Sequence, residues 1–311
     1  MFRNKDYVLA ILKEGSFTKA SEKLYVSQPS LSATIRRLEE KISAKIFDRS
    51  TSPISLTETG KEYVKYALEI EQKERDFERY VLDYTNLLTG TIKIGGSSMF
   101  SSFVLPNMIA SYNAKHPKIQ FEIFEDSTKN LMNKLMVGEL DIVVDNAVIN
   151  NEEITANVYS SEFLLLAVPA SFDINQKLKR YAMIADQIKA DEHKNLGVSV
   201  DLERFKDQPF ILLNPENDTG KRANKLFKKH RLEPKINFTL DQQVTAYNIS
   251  SSGLGVCFVS DTLIKNISTH SDMCFYRLSD RETVRNVYLF QKSNRYLSLA
   301  CKKFIEYNSE K

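Results

Sequence analysis

One stretch near the start of the chain, SFTKASEKLYVSQPSLSATIRRLEEKISAKIFDRSTSPISLT (residues 16–57), leaves few ways to fold. It reads as two short amphipathic helices joined by a tight turn. Ser16 is placed to N-cap the first, with Ala20 and Leu24 on its inner face. A small residue such as Ala20 suits a point where two helices cross closely. The turn is Tyr25-Val26. Ser27 then caps a second helix whose first turn holds Pro29, where a missing N–H costs least. Leu31, Ile35, Leu38 and Ile42 form one apolar stripe. Gln28, Ser30, Ser32, Ala33, Arg36 and Arg37 lie off it.

Before this pair, Tyr7, Val8, Ile11 and Leu12 have helical spacing, and the segment stops at Gly15. After it, Ile46-Phe47 and Ile54-Ser55-Leu56 flank Ser50-Thr51-Ser52-Pro53, which predicts a two-stranded wing. Thr57 caps a long helix over 58–88. Tyr63, Ile70, Phe77 and Tyr84 recur in it every seven residues, with Tyr66/Ala67, Val81 and Leu88 near the complementary positions. That predicts a coiled-coil seam between two chains, interrupted at Lys73 and Glu74. The plainer alternative is a helix packed on its own domain. From Thr91 onward, strand-like runs (91–95, 119–124, 141–145, 163–168, 210–213, 255–259, 286–291) alternate with helical ones (101–114, 128–137, 220–230, 242–252, 295–306). Alternation of this kind predicts α/β units around largely parallel sheets. The polar stretch 171–208 reads as inserted loops and short helices.

Charge is unevenly placed. Residues 1–57 carry ten Lys/Arg against six Asp/Glu, whereas the rest of the chain carries 33 against 34. A basic N-terminal module on a near-neutral body suits an anionic partner for the first part only. The opening MFRNKDYVLAILKEG is too short and interrupted an apolar run for a signal peptide, and no segment approaches a membrane span. The three cysteines, 257, 274 and 301, are odd in number and far apart, which fits a reducing compartment. The expectation is a cytoplasmic protein. An enzyme is disfavoured: the four histidines (116, 193, 230, 270) form no metal-ligand spacing and read as surface residues. There is no nucleophile elbow or P-loop, and Gly95-Gly96 lacks the third glycine of a dinucleotide fingerprint. No metal site is expected.

The chemistry of the helix opening at Ser27 points to DNA. Its N-terminal side chains can reach base edges while backbone N–H groups and nearby Ser, Lys and Arg hold phosphates. Gln28 can pair with adenine, Ser32 can donate or accept, and Pro29 offers an apolar contact to a thymine methyl. Arg36 and Arg37 lie two turns in, within range of phosphates. Ser16, Thr18, Ser27 and Ser30 complete this DNA-facing set. The plainer alternative is an ordinary polar helix face.

Taken with GSFTKASEKLYVSQPSLSATIRRLEEKISAKIFDR, the segments ISLTETG (54–60), IKIGGSSMFSSFVLP (92–106), GELDIVV (138–144) and SSGLGVCFV (251–259) make the chain closely resemble the LysR-type transcriptional regulators. The resemblance covers essentially the full length. It implies an all-α winged helix-turn-helix domain (1–57), a linker and dimerisation helix (58–88), and an α/β effector domain of two lobes like periplasmic binding proteins. The first lobe would be 91–161 plus 268–304, the second 162–267, with a small inducer between them. It further implies a dimer of dimers on dyad-symmetric promoter sites. The expected partners are double-stranded DNA, a small-molecule effector, the chain itself as homodimer or homotetramer, and RNA polymerase, with no membrane and no cofactor beyond the inducer.

Carried over by position, the family's base-reading residues fall on Gln28, Pro29, Ser32 and Ala33. Ala33 departs from the long polar or basic residue frequent there. Ser52 stands where many members carry a wing arginine, while Arg49 matches the family's other arginine. Reading should therefore lean on Gln28, Pro29 and Ser32. In the effector half, the strand-to-helix corner Ser97-Ser98-Met99 offers hydroxyls and free N–H groups. Met99 aligns with a Ser/Thr that touches inducers, so Ser98 or Ser101 would substitute. Thr128 matches an inducer-contacting position directly. Asn146 follows a strand at the crossover, and Asn214, Thr219 and Thr245 would close from the other side. Helix caps of this kind suit a small carboxylate, although no arginine clamp is evident. The insert 171–208 would be able to reshape the pocket. The rival readings are a solute-binding-like protein and an adaptor without gene-specific DNA readout.

Overall fold

The computed structural model describes residues 1–51, 53–84, 89–195, 199–270 and 272–309. The chain divides into two compact units, Met1–Thr85 and Asn86–Lys311.

The first unit packs three helices, α1 (Lys5–Glu14), α2 (Phe17–Lys23) and α3 (Gln28–Ile42). Ser16 caps α2 by accepting from Lys19 N, and Ser27 caps α3 by accepting from Ser30 N. Tyr25 takes the left-handed conformation (φ 54°) that the turn between them requires. Ala20, Leu31 and Ile35 are fully buried with Val8 and Ile11 in one core. Two short antiparallel strands, β1 (Phe47–Asp48) and β2 (Ser55–Leu56), form the wing. The long helix α4 follows as Glu58–Tyr84. Thr57 caps it, its hydroxyl accepting from Gly60 N at 2.9 Å. Gly60 is required there, since a Cβ would lie 2.0 Å from the carbonyl oxygen of Ile46.

The seven-residue stripe on α4 divides in two. Tyr63 and Ala67 are buried in the unit's own core, and Tyr63 stacks on Phe2 at 4.8 Å. Tyr63 is therefore not a seam residue, because α4 begins packed against α1 and the wing. Phe77, Tyr80, Val81 and Tyr84 are exposed. Leu88 lies outside the described residues.

The second unit has two lobes. The first holds β3 (Gly90–Gly96), α5 (Ser98–Phe103), α6 (Leu105–Asn113), β4 (Ile119–Glu125), α7 (Thr128–Met136) and β5 (Ile142–Asp145). Strand β6 (Ile154–Pro169) then crosses into the second lobe. There the chain forms α8 (Ile174–Lys177), α9 (Ala185–Lys189), α10 (Glu192–Asn195), β7 (Pro209–Leu213), α11 (Asp218–Lys229) and β8 (Lys235–Leu240). It continues through α12 (Gln243–Ser251), β9 (Val256–Ser260), α13 (Asp261–Asn266) and β10 (Met273–Arg277), and β11 (Val284–Lys292) returns to the first lobe before α14 (Leu299–Ser309).

Two expectations need correction. The sheets are mixed, not largely parallel. β3, β4 and β5 pair in parallel, as do β7, β8 and β9, but the crossing strands β6 and β11 pair antiparallel. A strand arriving from the other lobe needs no crossover helix and so enters against the βα direction. Residues 268–280, expected in the first lobe, belong to the second. β10 pairs with Leu165–Pro169, and Met273, Phe275, Tyr276 and Leu278 are buried in that lobe's two cores. The stretch 171–208 forms the short helices expected of it, and its Leu178, Met183, Ile188, Leu202 and Phe205 fill the same cores.

Candidate functional site

In the first unit, α3 presents one face to solvent. At 100° per residue, Ser32, Arg36, Pro29, Ala33 and Arg37 fan across the side away from Leu31 and Leu38, and Gln28 stands at the edge of that face in the first turn. Gln28, Pro29, Ala33, Arg36 and Arg37 are exposed and Ser32 is half-buried. Among the described residues, the side chains of Gln28 and Arg37 make no intramolecular hydrogen bond or ion pair. Arg36 is held by Glu40 at 3.1 Å, a solvent-screened i,i+4 pair. Ser16 and Ser27 use their oxygens to accept capping bonds, which leaves both hydroxyl protons able to donate outward. Thr18 and Ser30 are exposed.

Arg49 is braced from two sides. Its guanidinium lies 4.8 Å over the Phe17 ring and 3.6 Å from Glu39 Oε2. Glu39 escaped sequence reading because an acid beside Leu38 looks like surface. It is buried, and its Oε1 accepts from Ile46 N (2.9 Å) and Phe47 N (3.3 Å). The carboxylate thus fastens the first wing strand to α3. Ser52 lies outside the described residues.

In the second unit a cavity of about 430 Å³ opens between the two lobes. Ser97, Ser98, Met99, Thr128 and Asn146 line it from one side, and Asn214 and Thr219 from the other. Two expected residues do not. Ser101 donates to Gly96 O at 2.8 Å within its own corner. Thr245 is exposed and points away; two residues earlier on α12, Gln243 takes the inward position. Gln243 donates to Thr219 Oγ1 (2.8 Å) and accepts from Ser260 N (2.9 Å). Gly220 lets α11 start against the end of β7, since a Cβ there would meet Asn214 O at 2.3 Å. No described residue of 171–208 is among the cavity's lining.

Behind the lining runs a buried polar chain at the lobe crossover. Glu162 and Arg285 face each other across β6 and β11, with Arg285 Nε donating to Glu162 Oε2 at 2.5 Å. Asn146 Nδ2 donates to the same oxygen at 2.9 Å. Arg285 Nη1 reaches Asp218 Oδ2 (2.8 Å) and Thr219 Oγ1 (3.1 Å). Residues from both lobes are therefore joined through one guanidinium.

The cavity's charge was not legible from the caps. Glu125, Asp126, Asp145, Glu216, Asp218 and Asp241 line it, and Lys129 is the one cation among the described lining residues. Hydrogen bonds from Asn130, Lys134 and Ser127 N hold Asp126 down to about 2, so it stays ionised. Burial pushes Asp145 up, against the bonds from Thr128 and Ala147 N that favour its charged form. A carboxylate inducer, expected from the helix caps, meets like charge here.

His193, read as surface, is fully buried, with Nε2 2.9 Å from Asp261 Oδ2. Asp191 and Asp261 stand close enough with it to suggest a metal, but Lys265 Nζ sits 2.6 and 2.9 Å from the two carboxylates. The ammonium already supplies the positive charge, and the cluster ties α9 and α10 to α13. His230 contacts Asp280 at 2.9 Å. The three cysteines are free, and burial pushes Cys257 up to about 12. Among the described residues no helix is long and apolar enough to cross a membrane.

Residues 85–311 match the family model of the LysR substrate binding domain, and residues 2–61 that of the bacterial regulatory helix-turn-helix protein, lysR family. The chain is 30% identical over 264 residues to a probable RuBisCO transcriptional regulator of Trieres chinensis, covering 82% of this chain and 79% of that one. It is 25% identical over 305 residues to the uncharacterized HTH-type transcriptional regulator YcgK of Bacillus subtilis (strain 168), covering 98% and 93%. Among solved structures, a single-residue variant of full-length OxyR from Pseudomonas aeruginosa superposes with a TM-score of 0.71 at 20% identity, covering 100% and 93%. CbnR complexed with its target DNA gives 0.66 at 15% identity, covering 100% and 99%. At these identities the two structures share the fold.

Proposed function

The chain belongs to the LysR-type transcriptional regulators, and from that premise we propose that it binds dyad-symmetric promoter sites as a dimer of dimers and changes its DNA complex when a small molecule enters the lobe cavity. The observation that carries the DNA half is the exposed face of α3, with the side chains of Gln28 and Arg37 free of intramolecular partners on a helix fixed by a buried core. Gln28, Pro29 and Ser32 read base edges; Ala33 adds a methyl. Arg36, Arg37, Arg49 and the hydroxyls of Ser16, Thr18, Ser27 and Ser30 hold phosphates. The exposed end of α4 pairs two chains. In this reading residues 1–57 form the DNA-binding domain and 58–88 the linker. The protein acts in the cytoplasm, on RNA polymerase, and without catalysis.

Support for the effector half is the cavity itself, with Thr128, Asn146 and Thr219 converging on it and Arg285 linking both walls. Footprinting on the promoter of its own gene and of the adjacent divergent gene tests the proposal. A protected dyad whose extent changes with a metabolite extract is expected. No protection at either promoter, with or without extract, contradicts it.

A further inference from the structure

We propose that the lobe cavity takes an organic cation, a small molecule bearing at least one protonated amine, with Asp145 as its principal partner. This rests on the reading of the cavity as the effector site and adds the charge of its occupant. The site itself does not depend on its acids. It is a cleft of about 430 Å³ between two lobes, a size usual for small-molecule pockets.

The acids decide what fits. Of the six in the lining, Asp126 is paired with Lys134, and Asp218 with Arg222 and Arg285. Among the described residues, Glu125, Asp145, Glu216 and Asp241 have no Lys, Arg or His nitrogen within 4.0 Å. Asp145 is the decisive one. It is 2% exposed, and its two oxygens accept only from neutral donors, Thr128 Oγ1 and Ala147 N, each at 2.8 Å. Arg285 acts on it only at a distance and makes no ion pair with it, so the buried carboxylate stays costly, and an ammonium at the cavity wall offsets that cost through a charge-assisted hydrogen bond.

Helix starts bordering the cavity favour anions, but two of them are already occupied. Ser127 accepts from Asn130 N at α7, with Asp126 beside it. Asn217 accepts from Thr219 N at α11, with Asp218 in the first turn. These carboxylates satisfy the helix dipoles locally. The hydroxyls of Ser97 and Ser98 remain for the uncharged part of the ligand, whereas the amides of Asn146 and Asn214 already donate to Glu162 and Asp241 and offer their carbonyl oxygens.

The test uses three four-carbon probes of similar length and different charge, namely putrescine, 1,4-butanediol and succinate, with magnesium ion as a fourth. Each is titrated calorimetrically into the full chain without DNA. Putrescine should bind about tenfold or more tighter than butanediol, with succinate silent. Asp145→Asn should weaken putrescine roughly 30-fold, the usual consequence of removing one partner of a buried charge pair. Asp241→Asn, at the more open rim, should weaken it less and guards against a folding defect in the first variant. Four results overturn the inference: succinate or butanediol binding as tightly, putrescine not binding at millimolar concentration, magnesium displacing it at equal concentration, or both variants binding it like the parent. If succinate binds and alters the promoter footprint, only the cationic assignment falls. If neither the probes nor a metabolite extract alter the footprint, the effector reading falls with it.

Discussion

Removing the Glu39 carboxylate should loosen the wing from α3. Glu39 is 2% exposed, and the two N–H groups it accepts from, on Ile46 and Phe47, are themselves buried. An orphaned buried donor costs about 1–3 kcal/mol. Glu39→Ala orphans two, and water entering the vacated space recovers part, so a loss of about 2–4 kcal/mol is expected. Glu39→Gln keeps an acceptor at the same place. It gives up only the charge facing Lys45 (3.4 Å) and Arg49 (3.6 Å), whose side chains are 69% and 45% exposed. Screened pairs of that kind contribute about 0–1 kcal/mol. For a unit of this size 1 kcal/mol moves Tm by roughly 4–8 °C. The alanine variant should therefore lower the first unit's transition by roughly 8–32 °C, and the glutamine variant by about 8 °C or less. Thermal and urea unfolding of the full chain, followed by circular dichroism, measures both. Equal shifts for the two variants, or an alanine variant within about 0.5 kcal/mol of the parent, would refute the hydrogen-bond argument.

Asp145 gives a pH signature: burial raises its pKa, with Asp218 adding to the rise and Thr128, Ala147 N and Arg285 opposing it. An acid whose folded pKa is raised contributes stability that is complete below its unfolded value and lost as pH rises through the folded one. Asp145→Asn should thus raise the ligand-free Tm at neutral pH, with the gain closing below about pH 4; an unchanged or lower Tm at neutral pH contradicts this. Phe77 is 67% exposed. Phe77→Glu should leave monomer stability intact and weaken dimerisation about tenfold or more, and unaltered sedimentation would rule out the seam at that point. Thr128→Val removes the donor to Asp145 Oδ2, so the effector dose–response of the DNA complex should shift by about tenfold. A superimposable curve removes Thr128 from the site.

The helical half of the first unit was legible because its signals are local. Ser16 and Ser27 announce caps, Pro29 a first turn, and Leu31, Ile35 and Leu38 a stripe, each readable within four residues. Glu39 was not, since its partners lie seven and eight residues away on the wing and an acid in an amphipathic helix reads as solvent-facing. Tyr63 misled for the same reason: a heptad records apolar spacing, not whether the partner surface belongs to the same chain. In the second unit, β10 was missed because MCFYR is short and both its faces are buried, which erases alternation. Cavity positions such as Thr128, Asn146 and Thr219 were readable one by one. The acid-rich charge was not, because it comes from six acids at four strand and helix ends gathered from both lobes. Thr245 failed on helical phase, two residues being 200° apart on α12.

The central claim is that α3 reads sequence through its first turns, with Gln28 foremost. The direct measurement is a quantitative footprint titration of parent and Gln28→Ala on the promoter dyad and on random DNA, repeated across salt concentrations. A lost bidentate base contact should cost about 1–3 kcal/mol of discrimination, while the salt slope of non-specific binding stays the same. Discrimination that survives the substitution would contradict the assignment of base reading to this residue.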